Sequence, residues 1–230
     1  MDDAPPDPTA ADTRPARAPA NLRKEQARSV ETRLAILGAA LAEFADHGFD
    51  RASTRAIGER AGLHHTLVSY HFGTKEGLWR ATAEHFFGQI HAGLPPPPGS
   101  AQARDAEAID RVRGFFRRLL AFIADHPSFH HFMMRETRQA GPRRAWLMQA
   151  FVAPMLTQVV ADVRASQAEG DLPPGDPVLL YHVLLSLVTG PAALATPLAH
   201  FGQIEGQDLV EPYWTLVDQL VFRRKPFRLA

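Results

Sequence analysis

Apolar residues recur along this chain at intervals of three and four, the period of a helix with one buried face, and no segment alternates as a strand would. Leu34, Leu37, Leu41 and Phe44 share such a face and predict a first helix from about Val30 to His47. Gly48 follows as a left-handed cap, and Phe49 can fold back on the helix. A second helix is predicted from Thr54 to Ala61. Gly62 ends it where a tight turn favours a residue without Cβ. A third, short helix runs from His64 to His71, and Gly73-Thr74 caps a fourth from Lys75 to about Gly93.

Pro95-Pro96-Pro97-Pro98-Gly99-Ser100 cannot continue a helix, because proline lacks the amide donor and clashes with the preceding turn. Beyond this linker Asp105 to Asp125 carries apolar residues on two faces, which predicts a central helix. His126-Pro127 stops it. Ser128 caps a short helix reaching Gln139, and Gly141-Pro142 stops that one. A long helix from about Arg143 to Glu169 is expected to bend or restart at Pro154. Asp176-Pro177 opens a helix to Thr189, and Asp208 with Glu211 opens the last, to Phe222. The expected fold is all-α, divided into a basic tail at 1–28, a helical domain at 29–93 and a second helical domain at 94–230.

Composition narrows the function. The 230 residues contain no cysteine, which excludes disulfides, thiolate nucleophiles and thiolate-rich zinc folds and fits a reducing cytoplasm. Lys plus Arg equals Asp plus Glu at 25 each, so any affinity for nucleic acid has to come from local clustering. Such a cluster is present: Arg14, Arg17, Arg23, Lys24, Arg28 and Arg33 face only Glu25 and Glu31. The first twenty residues hold six Ala and five Pro with no Leu, Ile, Val, Phe, Tyr or Trp to anchor them to a core, so they are expected to be disordered, and they lack the apolar core of a secretory signal. Pro177 to Ile204 carries no charge, but His182, Gly190-Pro191 and Pro197 break it below a bilayer's ~30 Å, so a helix buried between protein surfaces is expected there and no membrane partner.

The stretch from Ser53 to Trp79, STRAIGERAGLHHTLVSYHFGTKEGLW, resembles the DNA-binding domain of the tetracycline-repressor (TetR) family. Its distinctive parts are Thr54-Arg55, the Ala61-Gly62-Leu63 turn, and Tyr70-His71-Phe72 leading to Lys75-Glu76. The resemblance implies a three-helix helix-turn-helix domain followed by a helical ligand-binding and dimerisation domain. It further implies that Thr54 contacts a phosphate, that Arg55 reaches a base edge, and that His65, Thr66 and Leu67 occupy base-reading positions, with His64 a further candidate. Tyr70, His71 and Lys75 correspond to phosphate clamps. Ser69 stands where an aromatic is usual, and Thr66 where a smaller residue is. Ile57, Ala61, Leu63, Val68 and Phe72 would close a small core behind this surface, freeing the third helix for a major groove ~12 Å wide.

The same resemblance implies an effector cavity, and the candidates are Phe115, Phe122, Phe129, Met133, Trp146, Phe151, Met155, Tyr181 and His182. This composition points to an apolar or aromatic effector. Leu179, Val183 and Leu187 with Tyr213, Leu216, Val217 and Leu220 give two terminal helices more apolar surface than one subunit buries, which predicts a homodimer and a palindromic operator in double-stranded DNA. His126, His130 and His131 cluster, yet Pro127 interrupts their ligand spacing, so no metal or cofactor is expected. No phosphate loop, nucleophile elbow or metalloprotease pair occurs, so no enzyme is expected. The function that follows is a repressor released by its effector; the alternatives are a ligand-independent DNA-binding protein, an activator, or more remotely a helical enzyme.

Overall fold

The computed structural model describes residues 20–94, 107–138, 140–193 and 209–222. Among these residues every regular element is helical and no strand occurs. The tail at 1–19, the proline linker at 95–100 and the Asp208 cap lie outside the described residues.

Helix α1 spans Ala20–Arg51, so residues 20–28, expected in the tail, are helical. The helix breaks at Gly48, whose φ of 76° and ψ of 168° admit a residue without Cβ. Ile36, Leu37, Ala40, Leu41 and Phe44 are buried, whereas Leu34 is 46% exposed. Helices α2 (Thr54–Arg60), α3 (His65–Phe72) and α4 (Lys75–Ala92) follow closely. Ser53 Oγ accepts the Ala56 amide at 3.0 Å, and Thr74 Oγ1 accepts the Gly77 amide at 3.0 Å, so each helix start has a side-chain acceptor for an otherwise orphaned donor.

The second half comprises α5 (Ala108–Asp125), α6 (Pro127–Arg138), α7 (Pro142–Leu147), α8 (Ala153–Ala168), α9 (Pro177–Ala193) and α10 (Val210–Val221). Helix α5 is central: Ile109, Val112, Phe115, Phe116, Leu119, Leu120 and Ile123 are all buried. Pro127, expected to stop the chain before a Ser128 cap, instead starts α6, where its missing N–H would have had no partner anyway. The expected bend at Pro154 takes the form of a π turn over Met148–Val152, immediately before the proline. Asp176 Oδ1 accepts from Val178 and Leu179 amides at 2.8 and 3.0 Å and so caps α9 as expected.

The stretch Pro142–Ala168 is long and apolar enough by composition to cross a membrane. Its Asp162, 1% exposed, takes both Nε (3.0 Å) and Nη2 (2.6 Å) of Arg111 on one carboxylate oxygen and thereby ties α8 to α5. A buried ion pair of this kind specifies which helix faces which; breaking it is costly although its net contribution to stability is small.

The two halves meet where the end of α1 packs on α6 and α7. Arg135 Nη2 donates to the Asp46 carbonyl at 2.6 Å, and the Arg143 guanidinium lies 3.8 Å from the Phe49 ring centre. Trp79 of α4 continues the contact to Phe132 and Trp146, so head and body share one aromatic core.

Candidate nucleic-acid interface

Helices α2 and α3 are joined by Ala61 to His64, with Gly62 at φ 67° making the turn. Gly58 makes the crossing close. A Cβ there would lie 3.0 Å from the Leu63 carbonyl and 3.1 Å from His65 Cα, so α3 can approach α2 only because position 58 has no side chain. Ile57 and Val68 are buried, and Ala61, Leu63 and Phe72 pack partly buried against the core, which is the expected small core. The Arg33 guanidinium lies 4.5 Å from the Phe72 ring centre and ties α1 to the back of α3.

With Val68 inward, the opposite face of α3 points outward. His65, Thr66, Leu67, Ser69 and Tyr70 are exposed, Tyr70 to 82%, and its ring meets His71 edge-on at 5.3 Å. An exposed tyrosine next to polar, compact side chains gives a surface that can hydrogen-bond base edges or phosphates. Thr54 is half-buried at the start of α2. Arg55 is exposed, and its Nε donates to Glu59 Oε1 at 3.0 Å. Both partners of that i,i+4 pair are solvated, so the pair is weak and the guanidinium is free to exchange it for a base.

Two expected contacts have other partners. His64 Nδ1 lies 2.9 Å from Thr66 Oγ1 and 3.5 Å from the Thr66 amide, which makes it the acceptor at the start of α3 and leaves Nε2 as the ring nitrogen outside these contacts. Lys75, expected to clamp phosphate, donates its Nζ to the carbonyls of Asp50 and Ala52 at 3.2 and 3.1 Å and sits 4.6 Å from the Phe49 ring centre. Its ammonium therefore joins α4 to the end of α1, because the break at Gly48 turns those carbonyls and Phe49 towards the start of α4.

Residues 36–82 match the family model described as bacterial regulatory proteins, tetR family. The chain carries the DNA-binding segment of the TetR family. Solved structures resemble it over most of its length. The ketosteroid transcriptional regulator KstR2 of Mycobacterium tuberculosis is 20% identical with a TM-score of 0.62, covering 84% of this chain and 95% of its own. HlyIIR, a hemolysin II transcriptional regulator, is 17% identical with a TM-score of 0.61, covering 85% and 99%. At these identities the likeness is one of fold: all-α, with a TetR-type helix-turn-helix at the N-terminus. A sequence comparison with curated proteins gives no match.

The expected effector residues fall in the aromatic core, beside a small cavity and on the surface. Phe129 and Met155 are buried, Tyr181 is 2% exposed with its hydroxyl pKa pushed up to about 12 by burial, and Phe87 stacks on Phe151 at 4.7 Å. Trp146 and Met133 pack partly buried against the same core. Phe115 and Phe122 line a cavity of about 110 Å³ between α4 and α5. His182, expected to face the effector, is exposed on α9, and its ring nitrogen Nδ1 lies 2.7 Å from the Val178 carbonyl. Periodicity revealed that the aromatic side chains share one core but not how tightly they fill it.

The expected dimer face is divided. Leu179, Val183, Leu216 and Leu220 are 67%, 54%, 58% and 73% exposed. Leu187 and Tyr213 are half-buried, the Tyr213 hydroxyl donating to the Leu187 carbonyl at 2.7 Å. Val217 is a correction: at 2% exposure it faces its own subunit, since α10 needs an inward residue between Trp214 and Phe222. Gly58 was missed. The only trace of it in the sequence was a glycine inside a helix, four residues before the turn glycine.

Proposed function

We propose that the chain is a homodimeric transcriptional repressor that binds a palindromic operator and is released by a small-molecule effector. The observation that carries this reading is the outward face of α3, with exposed Thr66, Ser69 and Tyr70 set beside a releasable Arg55 on a closed two-helix core. A second copy would cover Leu179, Val183, Leu216 and Leu220, and two-fold pairing would hold two such faces for half-sites about one or more turns apart. Thr54, His65, Leu67 and His71 complete the proposed DNA contacts, His64 contributes through Nε2, and Lys75 acts by positioning α4. The protein acts in the cytoplasm and does not catalyse a reaction.

An apolar or aromatic effector would enter beside Phe115 and Phe122. Pockets for such molecules usually hold about 300–1,000 Å³, so entry has to part α4 from α5. Helix α4 carries Lys75 at one end and the α5 contact at the other, which couples that opening to the DNA-binding surface. The coupling is reciprocal: operator binding weakens the effector by the same factor. Selecting fragments from a random duplex pool with the purified protein tests the reading. The expected result is an enriched palindrome, with Arg55→Ala losing discrimination at one position of each half-site. Recovery of no preferred sequence would refute it.

A further inference from the structure

A crevice of about 1000 Å³ lies where the end of α1 faces α6 and the turn into α7. It is distant in character from the aromatic core and contains none of the residues considered for the effector. Arg51, Arg138 and Arg144 line it, are exposed, and have no ion pair or hydrogen-bonding acceptor among the described residues. Arg135 and Arg143 line it too, one held by the Asp46 carbonyl and the other seated on Phe49. Arg143 reaches carboxylates only at 3.7 to 4.0 Å and its buried Nε lacks a hydrogen-bonding acceptor, so it too has donor capacity left.

Five guanidiniums thus line one concavity against three carboxylates, Asp46, Asp50 and Glu136. Of these, Glu136 is buried, and that burial raises its pKa. Guanidinium groups present paired donors that match the planar carboxylate and the phosphate, and they stay charged at all working pH values. The crevice is a concavity of small-molecule size with protein on two walls. From this geometry we infer that the joint between the DNA-binding segment and the helical body is a binding site for a small dianion, of the dicarboxylate or phosphate-ester class.

One wall is α1 and the other is α6 with α7, so an occupant would contact both halves at once. Occupancy would favour one angle between them and change operator affinity, a consequence that rests on the DNA-binding reading, whereas the binding itself does not.

The test is isothermal titration calorimetry of the full chain in low-salt buffer with inorganic phosphate and with succinate, and with neutral succinamide as the control. The expected result is saturable binding of at least one dianion, none of succinamide, and weakening by roughly tenfold or more in Arg138→Ala/Arg144→Ala. Both side chains are exposed, and matching circular dichroism and urea midpoints would establish that the variant folds. Absence of saturable binding by both dianions would overturn the inference. So would unchanged dianion affinity in the folded double variant, or a variant whose sole defect is weaker binding to random duplex, which would assign the arginines to DNA. Dianion binding by a protein that selects no operator would preserve this site and remove the repressor reading.

Discussion

Two glycines inside helices should respond to the same substitution with opposite sign. Gly38 of α1 is exposed, and a Cβ there meets nothing within 4 Å, so Gly38→Ala collects only the helix-propensity gain of about 0.5–1 kcal/mol. Gly58 of α2 would collect the same gain, but its new methyl would sit 3.0 Å from the Leu63 carbonyl, 3.1 Å from His65 Cα and 3.2 Å from the His65 amide nitrogen. All three are backbone atoms, one in the turn and two in the first residue of α3, so relief requires α3 to move away from α2 by a few tenths of an ångström. Overpacking of this kind costs about 1–3 kcal/mol. The propensity gain cancels between the two variants, which leaves their stabilities separated by about 1–3 kcal/mol, with Gly58→Ala the weaker. Urea unfolding followed by circular dichroism at one fixed protein concentration measures the difference directly. Operator affinity of Gly58→Ala should fall as well, because the displaced helix is the one proposed to read DNA. If both variants were stabilised equally, the close crossing would be no constraint, and the account of how α3 is aimed would fail.

Lys75→Ala removes two charge-assisted hydrogen bonds and a ring contact from a half-buried site, and should cost roughly 1–3 kcal/mol of stability while leaving the salt dependence of operator binding nearly unchanged. A salt slope that drops by about one unit would return Lys75 to a phosphate. Leu179→Asp combined with Leu220→Asp should give a folded monomer in sedimentation equilibrium, because both side chains are largely exposed in the single subunit; a persistent dimer would place the interface elsewhere. Burial holds the Glu136 carboxyl above its ordinary value, against the pull of the Trp79 indole N–H and Arg143. Its contribution to stability is therefore complete below the ordinary carboxylate range and is lost as pH rises through the raised pKa. Glu136→Gln should gain on the parent in urea midpoint as pH rises; the parent gaining instead would reverse the sign.

The pattern of apolar positions was enough to find the helices, because a buried stripe must repeat at the helical period whatever it packs against. It placed Gly62, Thr74 and Asp176 at turns and caps, since these depend on neighbours a few residues away. It failed at Pro127, where one proline is compatible with a stop and with a first turn. The exposed face proposed to bind DNA was legible for a similar reason: the residues that form it lie within one short segment, so their order in the chain is nearly their order in space.

The sequence by itself determined an all-helical chain, the inward and outward faces of α2 and α3, and the exposed positions of Arg55 and Tyr70. Only the tertiary structure decided that Lys75 turns back to the carbonyls of Asp50 and Ala52, that Val217 faces inward, and that the aromatic residues close on one another. It also brought arginines from α1, α6 and α7 around one crevice. These features depend on pairs far apart in sequence, whose distances are set by how helices pack rather than by any local period.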